Sequence, residues 1–173
     1  SPTLLTLLDA PDLKQRFPTW LAQRQQLLPQ ADQALRDGAD HLSKTFERHL
    51  AAWTTCDGDL IGRFAELQRQ GVVDLLTCGA THGYLPLLRH HPEAVRGQLR
   101  TAVREHQRLI GERPLGIWLP ECAYYEGLDH WMRDAGFKTV YVERNLRMPS
   151  RQRFIGFTDN QTFMPSENFM RCD

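Results

Sequence analysis

The fold of this chain is indicated most directly by the stretch Leu-Gly-Ile-Trp-Leu-Pro-Glu-Cys-Ala-Tyr at residues 115–124. An apolar run, Leu115–Leu119, ends at Pro120, and a single carboxylate, Glu121, follows directly. This pattern is typical of a buried parallel strand that presents a charged side chain at the open end of an α/β fold. Glu121 is therefore the first candidate for a catalytic residue.

Strands and helices are predicted to alternate around this stretch. The expected strands lie at residues 72–77, 115–119 and 138–142, and the expected helices lie at residues 59–71, 92–111 and 128–136. Such alternation predicts an α/β fold whose parallel strands are joined by right-handed crossovers. Three strands cannot close a barrel, so the sheet is either open or part of a larger barrel.

The first 56 residues are predicted to be helical. Apolar side chains recur there at a spacing of three and four, which marks one face of a helix, at Leu28, Ala31, Leu35, Ala39, Leu42, Phe46 and Leu50. Pro29 is expected to end one helix and begin the next, because proline cannot donate a backbone hydrogen bond. Residues 144–173 show no period, and we expect irregular structure or a poorly ordered end there.

The composition is that of an ordinary globular domain. The 173 residues carry 21 basic and 21 acidic side chains, so the formal net charge is zero. This balance gives no support to nucleic-acid binding or to an anionic membrane surface, and no stretch is long enough to span a membrane. Cysteines at 56, 78, 122 and 172 form no C-x-x-C pair, which predicts reduced thiols and a cytoplasmic location.

Two predicted loops follow strand ends and carry reactive side chains, Cys78–Tyr84 and Pro120–Tyr124. Because parallel neighbours bring their carboxyl ends to one edge, we expect these loops to meet. Each candidate has a structural alternative: Glu121 as a solvated loop acid, His82 as a turn residue, and Trp118 as a core aromatic. The pair His90-His91 is expected to be a surface feature, since no further ligand stands at metal-binding spacing.

Two motifs in these loops resemble glycoside hydrolase family 57, and most closely its 1,4-α-glucan branching enzymes. They are Ala-Thr-His-Gly-Tyr-Leu-Pro-Leu-Leu at residues 80–88 and Gly-Ile-Trp-Leu-Pro-Glu-Cys-Ala-Tyr at residues 116–124, with Gly-Leu-Asp following at 127–129. The resemblance covers residues 1–143 and implies the central segment of a catalytic domain. It implies part of an incomplete (β/α)7-type barrel with a helix-rich N-terminal part, which acts on α-1,4-glucan with retention and without metal or cofactor.

The resemblance also implies roles for individual residues. Glu121 matches the catalytic nucleophile of the family, His82 matches a region that lines the sugar site, and Trp118 matches an aromatic residue that supports substrate. Tyr84 and Tyr124 are further candidates for substrate binding, because aromatic side chains beside the site favour an acceptor sugar over water. Oligomeric state is left open.

The sequence departs from the family in ways that limit what the chain is expected to do. The His-rich region that should precede Ser1 is not found, and no Asp is matched to the acid/base residue. Residues 144–173 do not resemble the family's continuation. We therefore expect little or no activity from the chain alone. The alternatives are a non-catalytic glucan-binding module and a metal-dependent polysaccharide deacetylase-like barrel.

Overall fold

A computed structural model describes residues 1–141 of the chain. The predicted irregular tail at 144–173 and Cys172 lie outside this range. Four helices come first: α1 (Pro2–Asp9), α2 (Pro11–Leu27), α3 (Arg36–Thr55) and α4 (Leu60–Arg69). The helix-rich N-terminal part is therefore confirmed.

Strands and helices then alternate as predicted. The order is β1 (Thr77–Cys78), the short helix α5 (Leu85–Leu88), α6 (Pro92–Ile110), β2 (Gly116–Trp118), α7 (Leu128–Asp134) and β3 (Thr139–Tyr141). The strands form one parallel sheet in the order β1-β2-β3. Each connection between neighbouring strands contains a helix, as a parallel crossover requires. This arrangement agrees with the partial barrel segment that the resemblance implied.

The main core fills the space between the sheet and helices α6 and α7. Its buried side chains are Leu85, Val95, Leu99, Val103, Ile117, Leu119, Leu128, Met132, Phe137 and Val140. The apolar positions of α6 fall on the face that packs against β1 and α7. A smaller cluster, Ile61, Ala65 and Ile110, joins α4 to α6 beside α1. Burial of each large side chain contributes about 1.5–3 kcal/mol, so the core rather than the short strands holds the sheet.

Asp59 and Gly111 lie at the ends of helices α4 and α6. The Asp59 carboxylate accepts a hydrogen bond from the backbone N–H of Gly62 at 2.9 Å and caps α4. Gly111 ends α6 with φ of 93°, a left-handed conformation that glycine adopts without steric cost. No helix within residues 1–141 is long and apolar enough to cross a membrane.

The predicted strand at 72–77 is wrong over most of its length. Only Thr77 pairs with β2, opposite Ile117, and the pairing continues to Cys78. Residues 72–76 have no strand partner, and the backbone N–H of Leu75 donates instead to Oε1 of Gln68 at 2.9 Å. Val72 is 65% exposed. Hydrophobic composition alone therefore did not show where the neighbouring strand begins.

The apolar stripe from Leu28 to Leu50 is also interrupted. Residues 28–30 and 33–35 form two separate 3-10 turns, and the regular helix begins only at Arg36. Pro29 lies in the first turn, as expected of a residue that separates two helices. The stripe from Ala39 onward is helical, but its first three positions are not.

Candidate active site

The carboxyl ends of β1 and β2 bring the two predicted loops together. Cys78, the last residue of β1, pairs in register with Trp118, the last residue of β2, and Trp118 pairs in turn with Tyr141 of β3. The loops with His82 and Glu121 therefore leave the same edge of the sheet. This juxtaposition was predicted from the topology of parallel strands.

His82 and Glu121 are in direct contact. The imidazole Nε2 of His82 lies 3.2 Å from Oε1 of Glu121. The side chains are 39% and 69% exposed, respectively. Since a carboxylate only accepts hydrogen bonds, the His82 nitrogen is the donor whenever Glu121 is ionised. The pair is thus open to a ligand on one side and oriented by the protein on the other.

The opposite side of the His82 ring is also held. The ring Nδ1 lies 3.3 Å from the sulfur of Cys78. The ring also packs against the indole of Trp118, with centroids 5.3 Å apart and planes inclined by 39°. Burial raises the pKa of the Cys78 thiol above its ordinary value, so this thiol keeps its proton at neutral pH.

The backbone at this edge is strained. His82, Glu121 and Cys122 adopt φ of 57°, 55° and 53°. These values lie in the left-handed region, which residues other than glycine rarely occupy. Asp57 is the other non-glycine residue with positive φ within residues 1–141. Such strain persists only where the surrounding structure enforces it. Here it turns the Glu121 and His82 side chains toward each other.

Two contacts hold the His82 loop against the sheet and α6. Gln98 of α6 accepts a hydrogen bond from the Thr81 backbone N–H at 3.0 Å and donates one to the Thr81 hydroxyl at 2.8 Å. A methyl group at Gly79 would lie 3.2 Å from Cγ of Pro120, so the two loops touch where they leave their strands. A side chain at position 79 would therefore be tightly packed against Pro120.

The structure separates the aromatic candidates. Trp118 lies beside His82, and its indole N–H donates to the Cys122 sulfur at 3.1 Å. The phenol of Tyr124 instead donates to Oδ1 of buried Asp129 at 3.0 Å. The pKa of Tyr124 is raised, mainly because the phenol is buried and to a smaller extent because it donates to Asp129. Tyr84 is 45% exposed at the start of α5. His82, Glu121 and Trp118 thus form the contact cluster.

The sequence did not identify two members of this site. Cys78 was placed in the loop but given no role, because its contact with His82 depends on the fold of residues 79–81 and on the left-handed backbone of His82. Gln98 lies on α6, sixteen residues beyond His82, and nothing in its local pattern marks it.

Within residues 1–141, no three His, Cys, Asp or Glu side chains are grouped so that they could hold a metal ion. Cys56 and Cys78 are free thiols.

The site geometry can be compared with known proteins. The sequence model of Glycosyl hydrolase family 57 matches residues 15–168, which is most of the chain. The chain belongs to glycosyl hydrolase family 57. The match extends past residue 143, where the motif resemblance ended; the predicted division of the chain at 143/144 stays a prediction.

Curated relatives of this family 57 chain carry the names of branching enzymes. It is 38% identical to a 1,4-alpha-glucan branching enzyme of Thermococcus kodakarensis, over 54% of this chain and 16% of that protein. It is 36% identical to a probable 1,4-alpha-glucan branching enzyme of Mycobacterium tuberculosis, over 42% of this chain and 14% of that protein. The chain therefore spans less than a fifth of the length of these relatives.

Solved structures of larger proteins contain the same arrangement. The family 57 chain superposes on a GH57-type branching enzyme from Pyrococcus horikoshii with a TM-score of 0.72 and 29% identity, over 82% of this chain and 30% of that chain. It superposes on the alpha-amylase AmyC of Thermotoga maritima with a TM-score of 0.70 and 28% identity, over 82% of this chain and 29% of that chain. Fold and family thus agree with the resemblance in the motifs.

Proposed function

We propose that this chain forms the nucleophile side of a retaining α-glucan-active site, most closely that of a 1,4-α-glucan branching enzyme. Glu121 is the proposed nucleophile. His82 and Trp118 are proposed to bind the sugar around the reacting carbon, and Tyr84 and Tyr124 to contribute to more distant sugar positions. A cytoplasmic location and a role in glycogen-type metabolism are part of the same proposal.

The observation that carries the proposal is the contact between His82 Nε2 and Glu121 Oε1 at the strand ends. A nucleophilic carboxylate has to be ionised, and a donor beside it stabilises the anion and fixes its direction. The strained backbone at both residues supports the same conclusion, because backbone strain is concentrated at functional sites. The branching enzymes among the relatives and structures point to the substrate class.

The proposed chemistry has two steps. In the first, a carboxylate oxygen of Glu121 attacks the anomeric carbon, the glycosidic bond breaks, and an acid protonates the departing glucan oxygen. In the second, the acceptor hydroxyl loses its proton to the same acid/base residue and displaces Glu121, which restores the retained configuration. A 6-hydroxyl acceptor gives an α-1,6 branch, whereas water gives hydrolysis. The acid/base residue is not matched in this chain.

The decisive experiment is Glu121→Gln in the full-length product of the reading frame that contains this chain. The amide has nearly the same shape but cannot form the glycosyl ester. We expect transfer from amylose to fall by at least about 10³-fold. New α-1,6 links, counted after debranching, measure the activity, and mass spectrometry of the Glu121 peptide after treatment with an activated fluoroglucoside measures the covalent intermediate.

Glu126→Gln provides the matched control. Glu126 is an exposed glutamate five residues away, and the same substitution there should leave activity unchanged. Both variants should keep the wild-type melting temperature, because both carboxylates face solvent. Unchanged branching by Glu121→Gln, or a trapped sugar on another residue, would overturn the assignment of the nucleophile.

A non-catalytic glucan-binding module is the second candidate. It is favoured by the presence of the proposed sugar-binding residues in a chain for which no acid/base residue is matched. Pull-down on amylopectin with wild type and Glu121→Gln separates the two functions. Binding by both proteins, with no activity in the full-length product, would support the module. Membership of family 57 argues against the deacetylase alternative.

A further inference from the structure

We propose that Cys78 is a positioning residue that fixes the tautomer of His82, so that Nε2 carries the hydrogen donated to Glu121. The inference rests on the proposed role of Glu121 as nucleophile. It concerns the buried end of β1, which neither the motifs nor the names of the relatives assign to the site. The three side chains form a chain of contacts. The Cys78 sulfur lies 3.3 Å from Nδ1 of His82, and Nε2 of His82 lies 3.2 Å from Oε1 of Glu121.

The tautomer follows from a count of protons. An ionised Glu121 has no hydrogen to give, so the hydrogen bond at Nε2 requires an N–H there. A neutral imidazole carries only one N–H, and its Nδ1 is then a bare acceptor. The group that faces Nδ1 must therefore donate, and Cys78 is the group in that position.

Cys78 is suited to this role by its burial. Cys78 is 3% exposed. It is the last residue of β1 and pairs with Trp118 of β2. Burial disfavours the thiolate and raises the pKa of the thiol, and the neighbouring Glu121 charge acts in the same direction. The sulfur therefore keeps the hydrogen that Nδ1 accepts. An exposed thiol would exchange this bond with water and select no tautomer.

The ring has little freedom to escape this arrangement. Trp118 packs against one face of the imidazole, and the left-handed backbone of His82 sets the direction of its Cβ. A flip of the ring would break both hydrogen bonds at once. Because His82 engages Oε1 of Glu121, Oε2 is the oxygen that we expect to attack the sugar. Cys78 thus acts on the nucleophile through His82 and not by contact with substrate.

The first test needs no variant. Long-range ¹H–¹⁵N correlation spectra of the 173-residue chain, recorded at about pH 8, where an ordinary histidine ring is neutral, report which ring nitrogen of His82 carries hydrogen. We expect a protonated Nε2 and an Nδ1 resonance shifted toward that of a hydrogen-bonded acceptor. A neutral ring protonated at Nδ1 would overturn the proposal.

Two substitutions of Cys78 then separate positioning from packing. Cys78→Ser keeps a donor and should keep the bonded Nδ1 signal. Cys78→Val keeps the bulk without a donor and should move Nδ1 to the position of a bare nitrogen. In the full-length product we expect kcat to fall about fivefold in Cys78→Val, as for the loss of one hydrogen bond, with KM unchanged and near-complete rescue in Cys78→Ser.

The outcomes distinguish this inference from the proposed function. An identical Nδ1 signal in wild type and Cys78→Val overturns the role of Cys78, whatever the activity. The expected signals in a full-length product that has no α-glucan activity uphold the role of Cys78 toward His82 and overturn the proposed function. A merely structural role predicts lower melting temperatures in both variants with no change at Nδ1.

Discussion

Residues with unfavourable local conformations mark the candidate site more sharply than its charges do. Glu121 and Cys122 are consecutive left-handed residues, each expected to cost about 1–2 kcal/mol relative to a right-handed backbone. The cost is offset by the buried Pro120 and by the hydrogen bond from the Cys122 N–H to the Leu119 carbonyl at 2.8 Å. A looser loop would be more stable locally but would not aim Glu121 at His82.

His106, on the buried face of α6, carries a different local cost. It is 1% exposed, and within the described residues neither ring nitrogen has a hydrogen-bond partner. Burial lowers the pKa of His106 to about 4. The unfolded chain, with an ordinary histidine pKa, therefore binds a proton between about pH 6.5 and pH 4 that the folded chain does not bind.

We predict that the free energy of unfolding decreases as pH falls from about 6.5 to 4, by up to roughly 3 kcal/mol from this group. The reason is that protonation favours the unfolded state until the folded pKa is reached. His106→Leu, which has similar bulk and no titration, should flatten this part of the profile. Urea unfolding of both proteins across this pH range measures the difference.

The exposed His49 of α3 provides the control for that experiment. His49→Leu makes the same chemical change on another helix and should leave the slope with pH as in wild type. Equal slopes in wild type and His106→Leu would show that His106 is not the source. The position of His106 in a helical pattern does not show from sequence that its ring nitrogens lack partners.

At the scale of elements, the sequence predicted the type and order of the helices and strands better than their lengths. Helix α6 was predicted correctly because Pro92 begins it, Gly111 ends it and its apolar stripe is continuous. The strand near residue 72 was overestimated, because a run of apolar residues resembles a buried strand even where Val72 is exposed and only Leu75 packs against a core cluster. Gln98 shows the same limit: α6 was predicted, but not that one of its side chains holds the His82 loop.

We therefore predict that Gln98→Leu loosens this loop without unfolding α6. The change removes one acceptor and one donor toward Thr81 and leaves the buried face of the helix intact. Hydrogen exchange at the Thr81 amide should accelerate about tenfold, as for the loss of a hydrogen bond worth about 1.4 kcal/mol. Amide exchange measured by NMR checks this directly.

Gln107→Leu on the same helix is the matched control, since Gln107 is exposed and lies away from the loop. In the Gln107→Leu variant, the Thr81 amide should exchange at the wild-type rate. If Gln98→Leu leaves exchange at Thr81 unchanged, the loop is held by its backbone bonds, such as that from the Ala80 N–H to the Gln98 carbonyl at 3.2 Å, rather than by the side chain.

At the scale of the molecule, we propose that the sheet edge provides one half of a two-carboxylate site. Retention requires an acid/base residue about 5 Å from the nucleophile. The chain covers about 30% of the matched branching enzyme from Pyrococcus horikoshii, and no Asp in it is matched to that second role. The loop with the proposed nucleophile could be found from sequence because its motif is contiguous, whereas an acid/base residue brought in by folding from a distant region would leave no such trace.

The last prediction concerns the isolated 173-residue chain. We expect it to form no measurable α-1,6 links from amylose, because a glycosyl bond to Glu121 would have to form without protonation of the departing glucan, a contribution of about 10²–10⁴-fold for general acid catalysis alone. The full-length product assayed beside it is the positive control. Circular dichroism of the isolated chain establishes that it is folded when assayed, so that inactivity cannot be attributed to unfolding. Measurable branching by the folded chain would contradict this prediction. It would mean that a carboxylate within these 173 residues serves as the acid/base residue and that the chain contains a complete active site.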